Sequence, residues 1–178
     1  MIIALSGRRV DALQAEPPRF PLQNVDRVKD EVRRLLQDKQ ATALVSSAAC
    51  GADLIALSEA GSLGLRRKVV LPFERARFRE TSVVDRPGDW GALYDQVIDE
   101  VEGKGDLLVL GKSESDDPYG ATNKVILDEA IALAGQTQEK VGVLLIWEGA
   151  SRGKEDFTES FGTEARKSGL NVFEVLTK

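Results

Sequence analysis

Ala43-Leu44-Val45-Ser46-Ser47-Ala48-Ala49-Cys50-Gly51-Ala52-Asp53-Leu54 is the stretch that decides the fold. A short apolar strand, Ala43-Leu44-Val45, ends in a turn of small residues, and a mostly apolar helix is predicted from Leu54 to Leu63. A turn of this composition leaves backbone N–H groups free at a helix N-terminus with no bulky side chain over them. That is an anion-binding arrangement, and phosphate is the ligand it most often serves. Ser46 and Ser47 can add hydroxyl bonds, and Gly51 and Ala52 offer open N–H groups. A carboxylate beside phosphate is repulsive, so Asp53 is expected either to face ribose hydroxyls or to cap the helix start. The same turn also fits close helix–sheet packing. Cys50 reads as a small buried thiol in preference to a nucleophile.

Outward from this unit, short apolar runs alternate with helical patterns from end to end. The predicted strands are Ile2–Leu5, Ala43–Val45, Lys68–Leu71, Leu107–Leu110, Val141–Trp147 and Val172–Leu176. Most lack in/out alternation, as strands covered on both faces do. Val25–Leu36 places Val25, Val28, Val32, Leu35 and Leu36 on one helical face, and Trp90–Val101 and Asn123–Ala134 are similar. Asp117-Pro118 has the form of an N-cap followed by proline at the first helical position. A last helix, from about Asp156 to Lys167, stops at Ser168-Gly169. This rhythm predicts an α/β fold of the three-layer Rossmann-like kind: a mainly parallel sheet of five or six strands with helices on both faces. Two less regular stretches, Asp11–Asn24 and Phe73–Asp89, follow strands and are expected as loops at the C-terminal edge of the sheet, where open α/β sheets bind ligands.

The 178 residues fit one domain, 1–178, with no internal repeat or linker. With 24 basic and 29 acidic residues mixed along the chain, net −5, no basic stripe marks a general nucleic-acid binder. A small phosphorylated partner needs only one or two local cations. A single cysteine excludes an intramolecular disulfide and fits a reducing compartment. No apolar run approaches the ~20 residues of a membrane span, and the N-terminus reads as a first strand, not a signal peptide. The expected location is cytoplasmic, without membrane partners. There is no histidine, which removes the Ser-His-Asp triad and most zinc sites. Proton transfer would have to use carboxylates, Lys, Tyr, Cys or water. The sequence has neither G-x-G-x-x-G nor a Walker A loop, so no cofactor and no metal is expected.

Four further segments carry candidate chemistry. After the first strand, Ser6-Gly7-Arg8-Arg9 combines a glycine turn with a planar cation for phosphate or carboxylate. Leu71-Pro72-Phe73 sets an aromatic at a strand exit, ahead of Arg75, Arg77 and Arg79; each arginine also fits a solvated helix face. In Tyr119-Gly120-Ala121-Thr122-Asn123, Tyr119 and Asn123 share a helical face, where tyrosine can stack and asparagine can read a base or ribose. Finally, Trp147-Glu148-Gly149 and Ser151-Arg152-Gly153-Lys154 lead to Asp156. Gly149 and Gly153 permit close backbone approach, Arg152 and Lys154 add positive charge, and Glu148 and Asp156 are the candidate acid/base carboxylates. Either of these can equally be a helix-start charge favoured by the dipole.

Taken in order, these residues resemble the SLOG superfamily of Rossmann-like domains, which includes the cytokinin-activating phosphoribohydrolases and the DNA-processing protein A domain. The match is to a bacterial branch whose first strand leads into a Gly-His-Arg turn and an Arg-Phe-Pro segment, here Gly7-Arg8-Arg9 and Arg19-Phe20-Pro21. Gly51-Ala52-Asp53, Leu71-Pro72-Phe73, Ser82-Val83 with Trp90, Tyr119 through Asn123, Trp147-Glu148-Gly149, and Asp156-Phe157-Thr158 leading to Ala165 and Gly169 continue it. Two departures stand out: Arg8 replaces the histidine, and the Pro-Gly-Gly-x-Gly-Thr loop of the phosphoribohydrolases is absent.

The resemblance implies a nucleotide or nucleotide-derived phosphorylated ligand at the strand C-termini, held by a ligand-sensing module. The alternative is an N-glycoside hydrolase that releases the base from a nucleoside 5'-monophosphate, with Glu148 and Asp156 as catalytic residues and Asp53 next. The ligand-binding set comprises Gly7, Arg8, Ser46, Gly51, Ala52, Asp53, Phe73, Tyr119, Asn123, Trp147, Gly149, Gly153 and Lys154. Phosphate would rest between the Gly51 and Gly149–Gly153 bends, with ribose and base near Asn123, Tyr119 and Trp147. A homodimer is expected, with the Trp90, Leu93 and Val97 stripe as one surface for it, although core packing is the commoner use of such a stripe.

Overall fold

The computed structural model describes residues 1–113, 117–153 and 155–178. Six strands form one sheet: β1 (Ile2–Gly7), β2 (Ala43–Ser46), β3 (Arg66–Leu71), β4 (Leu107–Val109), β5 (Val141–Trp147) and β6 (Asn171–Leu176). The helices are α1 (Val25–Asp38), α2 (Ala52–Ser62), α3 (Arg75–Ser82), α4 (Trp90–Glu102), α5 (Pro118–Thr137) and α6 (Phe157–Lys167). The strand order is β4-β3-β2-β1-β5-β6 and every pairing is parallel, which makes this a three-layer Rossmann-like α/β fold.

The side-chain period of two assigns alternate residues of β1 to the two cores. Ile3 and Leu5 pack with Val28, Val32 and Leu36 of α1, Leu54 and Leu57 of α2, and Val97 and Ile98 of α4. Ile2 and Ala4 pack with Ile126, Ala130 and Leu133 of α5, and with Phe161 and Ala165 of α6. All four are essentially inaccessible, and a buried side chain of isoleucine or leucine size contributes about 1.5–3 kcal/mol. The central helix α2 is buried nearly all round, which is why its sequence is apolar without a stripe. Its buried Glu59 is held by Arg33 of α1 at 2.7 Å.

Three sequence expectations change. The Phe73–Asp89 stretch contains α3, a helix with only Phe78 and Ser82 buried; it lacks an apolar stripe, so periodicity could not reveal it. β3 starts at Arg66, because Arg66 and Arg67 extend the pairing with β2, and Arg66 binds Asp106 at 2.6 Å. Trp90 and Val97 lie in the core, so the stripe offered as a dimer surface is engaged by packing within the chain. Asp117-Pro118 does open α5, and the Asp117 side chain accepts from Gly120 N–H. No helix among the described residues is long and apolar enough to cross a membrane.

β1 through β4 are laid down in one direction across the sheet, and β5 then returns to the far side of β1. The topological switch point therefore lies between β1 and β5, and a crevice opens there beyond the strand C-termini. The register from Ile2↔Val141 to Gly7↔Ile146 sets the exit of β1 directly beside the exit of β5.

Candidate functional site

A cleft of about 560 Å³ occupies this position. Its floor is Ser6, Gly7 and the main chain after β1, together with Ser47, Ala49 and Asp53 from the β2–α2 turn. One wall comes from α3 and the segment after it, through Phe78, Ser82 and Arg86. The opposite wall comes from the first turns of α5 and α6, through Tyr119, Asn123, Phe157 and Thr158. The loop after β1 forms one side with Ala12, Ala15, Glu16 and Pro17. That loop is closed on itself: Asp11 N–H donates to Phe20 O at 2.9 Å, and the Asp11 carboxylate accepts from Arg19 and Phe20 N–H at 2.9 and 3.0 Å. Phe20 is buried and anchors its end. The two stretches expected as loops at this edge both reach the cleft, one as a loop and the other largely as α3.

The exits of β1 and β5 meet in a buried ion cluster. The Arg8 guanidinium donates to Glu148 from Nε at 2.5 Å, to Asp156 from Nη1 and Nη2 at 2.7 Å each, and to Ala150 O at 3.2 Å. Arg19 also donates to Glu148. Asp156 further accepts from Arg152 N–H at 2.8 Å, and from Thr158 and Glu159 N–H at 3.1 Å each, as the N-cap of α6. Burial would push both carboxyls up, but the hydrogen bonds, with Arg8 the largest contributor, outweigh it and hold Glu148 and Asp156 below the ordinary range. Neither carboxylate lines the cleft. The two residues read from sequence as acid/base candidates are thus counter-ions of Arg8, and Arg8 in turn has its fork of donors engaged.

The Gly51 bend differs from its expected role in a similar way. Gly51 adopts φ +90°, and a Cβ there would meet Val10 N at 2.7 Å and Arg8 O at 2.8 Å. Ala52 N–H donates to Arg8 O at 3.0 Å. The main chain leaving β1 therefore fills the cradle that sequence assigned to phosphate. Gly7 serves the same contact, since a Cβ on it would lie 2.3 Å from Ala52 Cβ. Ser46 is buried and donates to Ser47 O. Gly51, Ala52, Gly149 and Gly153 do not line the cleft, so the two glycine bends do not frame it together. Trp147 also lies outside it, donating to Glu174 at 3.2 Å. Lys154 lies outside the described residues.

Other candidates do converge. Gly7, Arg8, Asp53, Tyr119 and Asn123 line the cleft. Tyr119 sits between Phe73 and Phe157, with ring centroids at 6.2 and 5.9 Å, so Phe73 buttresses the wall from behind. Asn123 donates to Phe157 O at 2.9 Å and ties α5 to α6. Arg75 and Arg79 face away, bound to Asp99 at 2.5 Å and Asp95 at 2.9 Å on α4, while Arg77 lies over the Phe73 ring.

Five arginines line the cleft; Arg8 and Arg19 are bound to Glu148, and the others are Arg9, Arg86 and Arg152. Arg9 donates to Thr81 O at 2.9 Å and to Asp85 at 2.6 Å. Arg86 Nε lies 3.4 Å from the same Asp85 carboxylate without a hydrogen bond, and this buried atom has no hydrogen-bond partner among the described residues. Two arginines thus share one carboxylate, and Arg86 retains donors. Arg152 is held below its ordinary value by desolvation and by repulsion from Arg8. Asp53 is a cleft carboxyl pushed toward neutrality: burial raises it to about 7, against the pull of the Ala49 N–H hydrogen bond and of Arg9. Sequence reading passed over Arg86; its only signal was a single arginine before Pro87-Gly88 in a stretch without periodicity. No group of three or more His, Cys, Asp or Glu side chains among the described residues is arranged to hold a metal.

No protein-family model matches the sequence, and no curated protein matches it. Among solved structures, the chain is similar to DNA processing protein A from Streptococcus pneumoniae, at 14% sequence identity and a TM-score of 0.45. The alignment covers 96% of this chain and 57% of that one, so the chain spans little more than half the length of that protein.

Proposed function

We propose that the cleft binds a small anionic ligand of the nucleotide class, and that the protein acts as a ligand-binding module. The observation that carries this reading is the crevice at the switch point lined by Arg86, which shares the single Asp85 carboxylate with Arg9. The rest of the Arg86 guanidinium, on a side chain 28% exposed, keeps planar donors for an anionic oxygen. The aromatic wall of Tyr119 and Phe157 supplies a surface for a flat ring. The cleft volume falls within the usual range for small-molecule sites. Calorimetry with AMP, ADP-ribose and a cyclic nucleotide tests it. Binding is expected for one or more, with a loss of tenfold or more in Arg86→Ala and little change in Arg79→Ala. Absence of heat for all three at millimolar ligand refutes the reading.

Asp53 favours a second reading, hydrolysis of the N-glycosidic bond of a nucleoside monophosphate. It is the cleft carboxyl pushed up to about 7, the range in which general acid–base chemistry operates at neutral pH. In this reading Asp53, and not Glu148 or Asp156, performs the proton transfer. Chromatographic release of free base that is abolished by Asp53→Asn supports it; turnover unaffected by that substitution removes the assignment.

A further inference from the structure

Asp53 is the second residue of α2, with only 8% of its surface exposed. Its Oδ2 accepts from Ala49 N–H at 3.1 Å. No other hydrogen bond reaches the carboxyl among the described residues, and Asp53 lines the cleft. An ionised carboxylate here would repel the anion that Arg9 and Arg86 attract. A neutral carboxyl, by contrast, would present an O–H donor beside those arginines.

We propose that Asp53 is a proton-linked contact of the cleft: it takes a proton from solvent as an anionic ligand binds, and Oδ1–H donates to a ligand oxygen. This inference rests on the anion-binding reading above and adds to it a specific donor and a pH dependence. Burial pushes the Asp53 carboxyl up to about 7, which agrees with the geometry. The bound complex then holds one proton more than ligand-free protein with an ionised Asp53. Uptake is about 0.9 proton at pH 8 and about 0.1 at pH 6.

The charged and titratable groups around Asp53 come from each neighbouring segment. Arg8, Arg9, Asp11, Glu16 and Arg19 follow β1, Cys50 is in the same turn, and Asp85 and Arg86 follow α3. Tyr119 opens α5, and Arg152 precedes α6. Cys50 is pushed up to about 11 by burial and stays neutral throughout the range tested. Substitution of Asp53 by asparagine leaves all of these in place. The carboxamide can keep its oxygen on Ala49 N–H and turn its N–H₂ to the ligand, imitating the neutral acid.

The experiment is calorimetry of AMP against the wild-type chain and Asp53→Asn at pH 6, 7 and 8, in two buffers of different ionisation enthalpy. Titration of AMP itself and of the surrounding groups appears in both proteins and cancels in the ratio of affinities. That ratio, wild type over variant, is expected to fall about tenfold from pH 6 to pH 8, with wild-type proton uptake near 0.9 at pH 8. A ratio flat within twofold, or loss of AMP binding in Asp53→Asn at every pH, overturns the inference and leaves the binding reading standing. No AMP binding to either protein at pH 6 overturns both. Carboxyl carbon NMR of ligand-free wild type gives a check independent of the variant: Asp53 should titrate near pH 7, and a midpoint near 4 overturns the inference.

Discussion

Arg8→Met tests whether this arginine braces the β1–β5 junction or is available to a ligand. The substitution keeps most of the stem volume and removes every donor. Glu148 and Asp156, with side chains 3% and 0% exposed, would then be left without the cation that neutralises them. Breaking a buried pair typically costs about 3–5 kcal/mol. Arg19 remains on Glu148, and three backbone N–H groups remain on Asp156, so the lower end, about 3 kcal/mol, is expected. At a denaturant slope of about 2 kcal/mol per molar urea, the midpoint falls by about 1.5 M. Tryptophan fluorescence during urea titration reads this directly, because the Arg8 guanidinium lies 5.7 Å from the Trp147 ring centre. The pH dependence gives a second signature. In the wild type both carboxyls are held below their ordinary 4.5 and 3.8, so their contribution is complete above about pH 4.5 and is lost as pH falls through the lowered values. In the variant both carboxyls lose their largest lowering partner, so less of this contribution remains and the gap to wild type narrows as pH falls through the carboxylate range. Adding Glu148→Gln to Arg8→Met should recover part of the loss. A midpoint shift below about 0.3 M urea, or a gap that does not change with pH, refutes the brace and returns Arg8 to the ligand.

Gly51→Ala should cost about 2 kcal/mol or more, because residue 51 has φ +90° and its Cβ would press on Val10 N at 2.7 Å. Gly64→Ala, at φ +71° in open space, should cost about 1 kcal/mol, and equal thermal shifts for the two would deny the close approach. Asp11→Ala removes the acceptors for Arg19 and Phe20 N–H; proteolysis near the exposed Leu13 should accelerate, with about 1–2 kcal/mol of stability lost, and an unchanged cleavage rate would count against this closure. For Asp53 the folded carboxyl is raised from 3.8 to about 7, so the folded state binds the extra proton and wild-type stability falls as pH rises from 4 to 7. At about 1.4 kcal/mol per tenfold change in proton affinity, that cost reaches about 4 kcal/mol at pH 8, and Asp53→Asn should recover much of it there and little at pH 4. Equal wild-type and variant stability at both pH values would contradict a buried, raised carboxyl.

The order of strands and helices was legible from sequence because burial on two faces imposes continuous apolar runs, and burial on one face imposes a 3.6-residue period. Ile2–Leu5, Val141–Trp147 and Val25–Leu36 carry those patterns within themselves, and the structure reproduces each to within a few residues. The polar helix α3 buries only Phe78 and Ser82, and so left no such trace. The fate of the charges was decided by tertiary structure alone. Arg8, Arg9 and Arg86 are the same residue type, and nothing local separates them. Arg8 is engaged by Glu148, which lies 140 positions along the chain, while Arg9 and Arg86 share Asp85. Gly51 shows the same division: its freedom from a Cβ was visible in sequence, but whether phosphate or the chain's own backbone would use that freedom depended on where the exit of β1 came to lie. Periodicity is a property of neighbours in sequence; the availability of a donor or a carboxyl is set by neighbours in space, through desolvation and hydrogen bonds that no local pattern encodes.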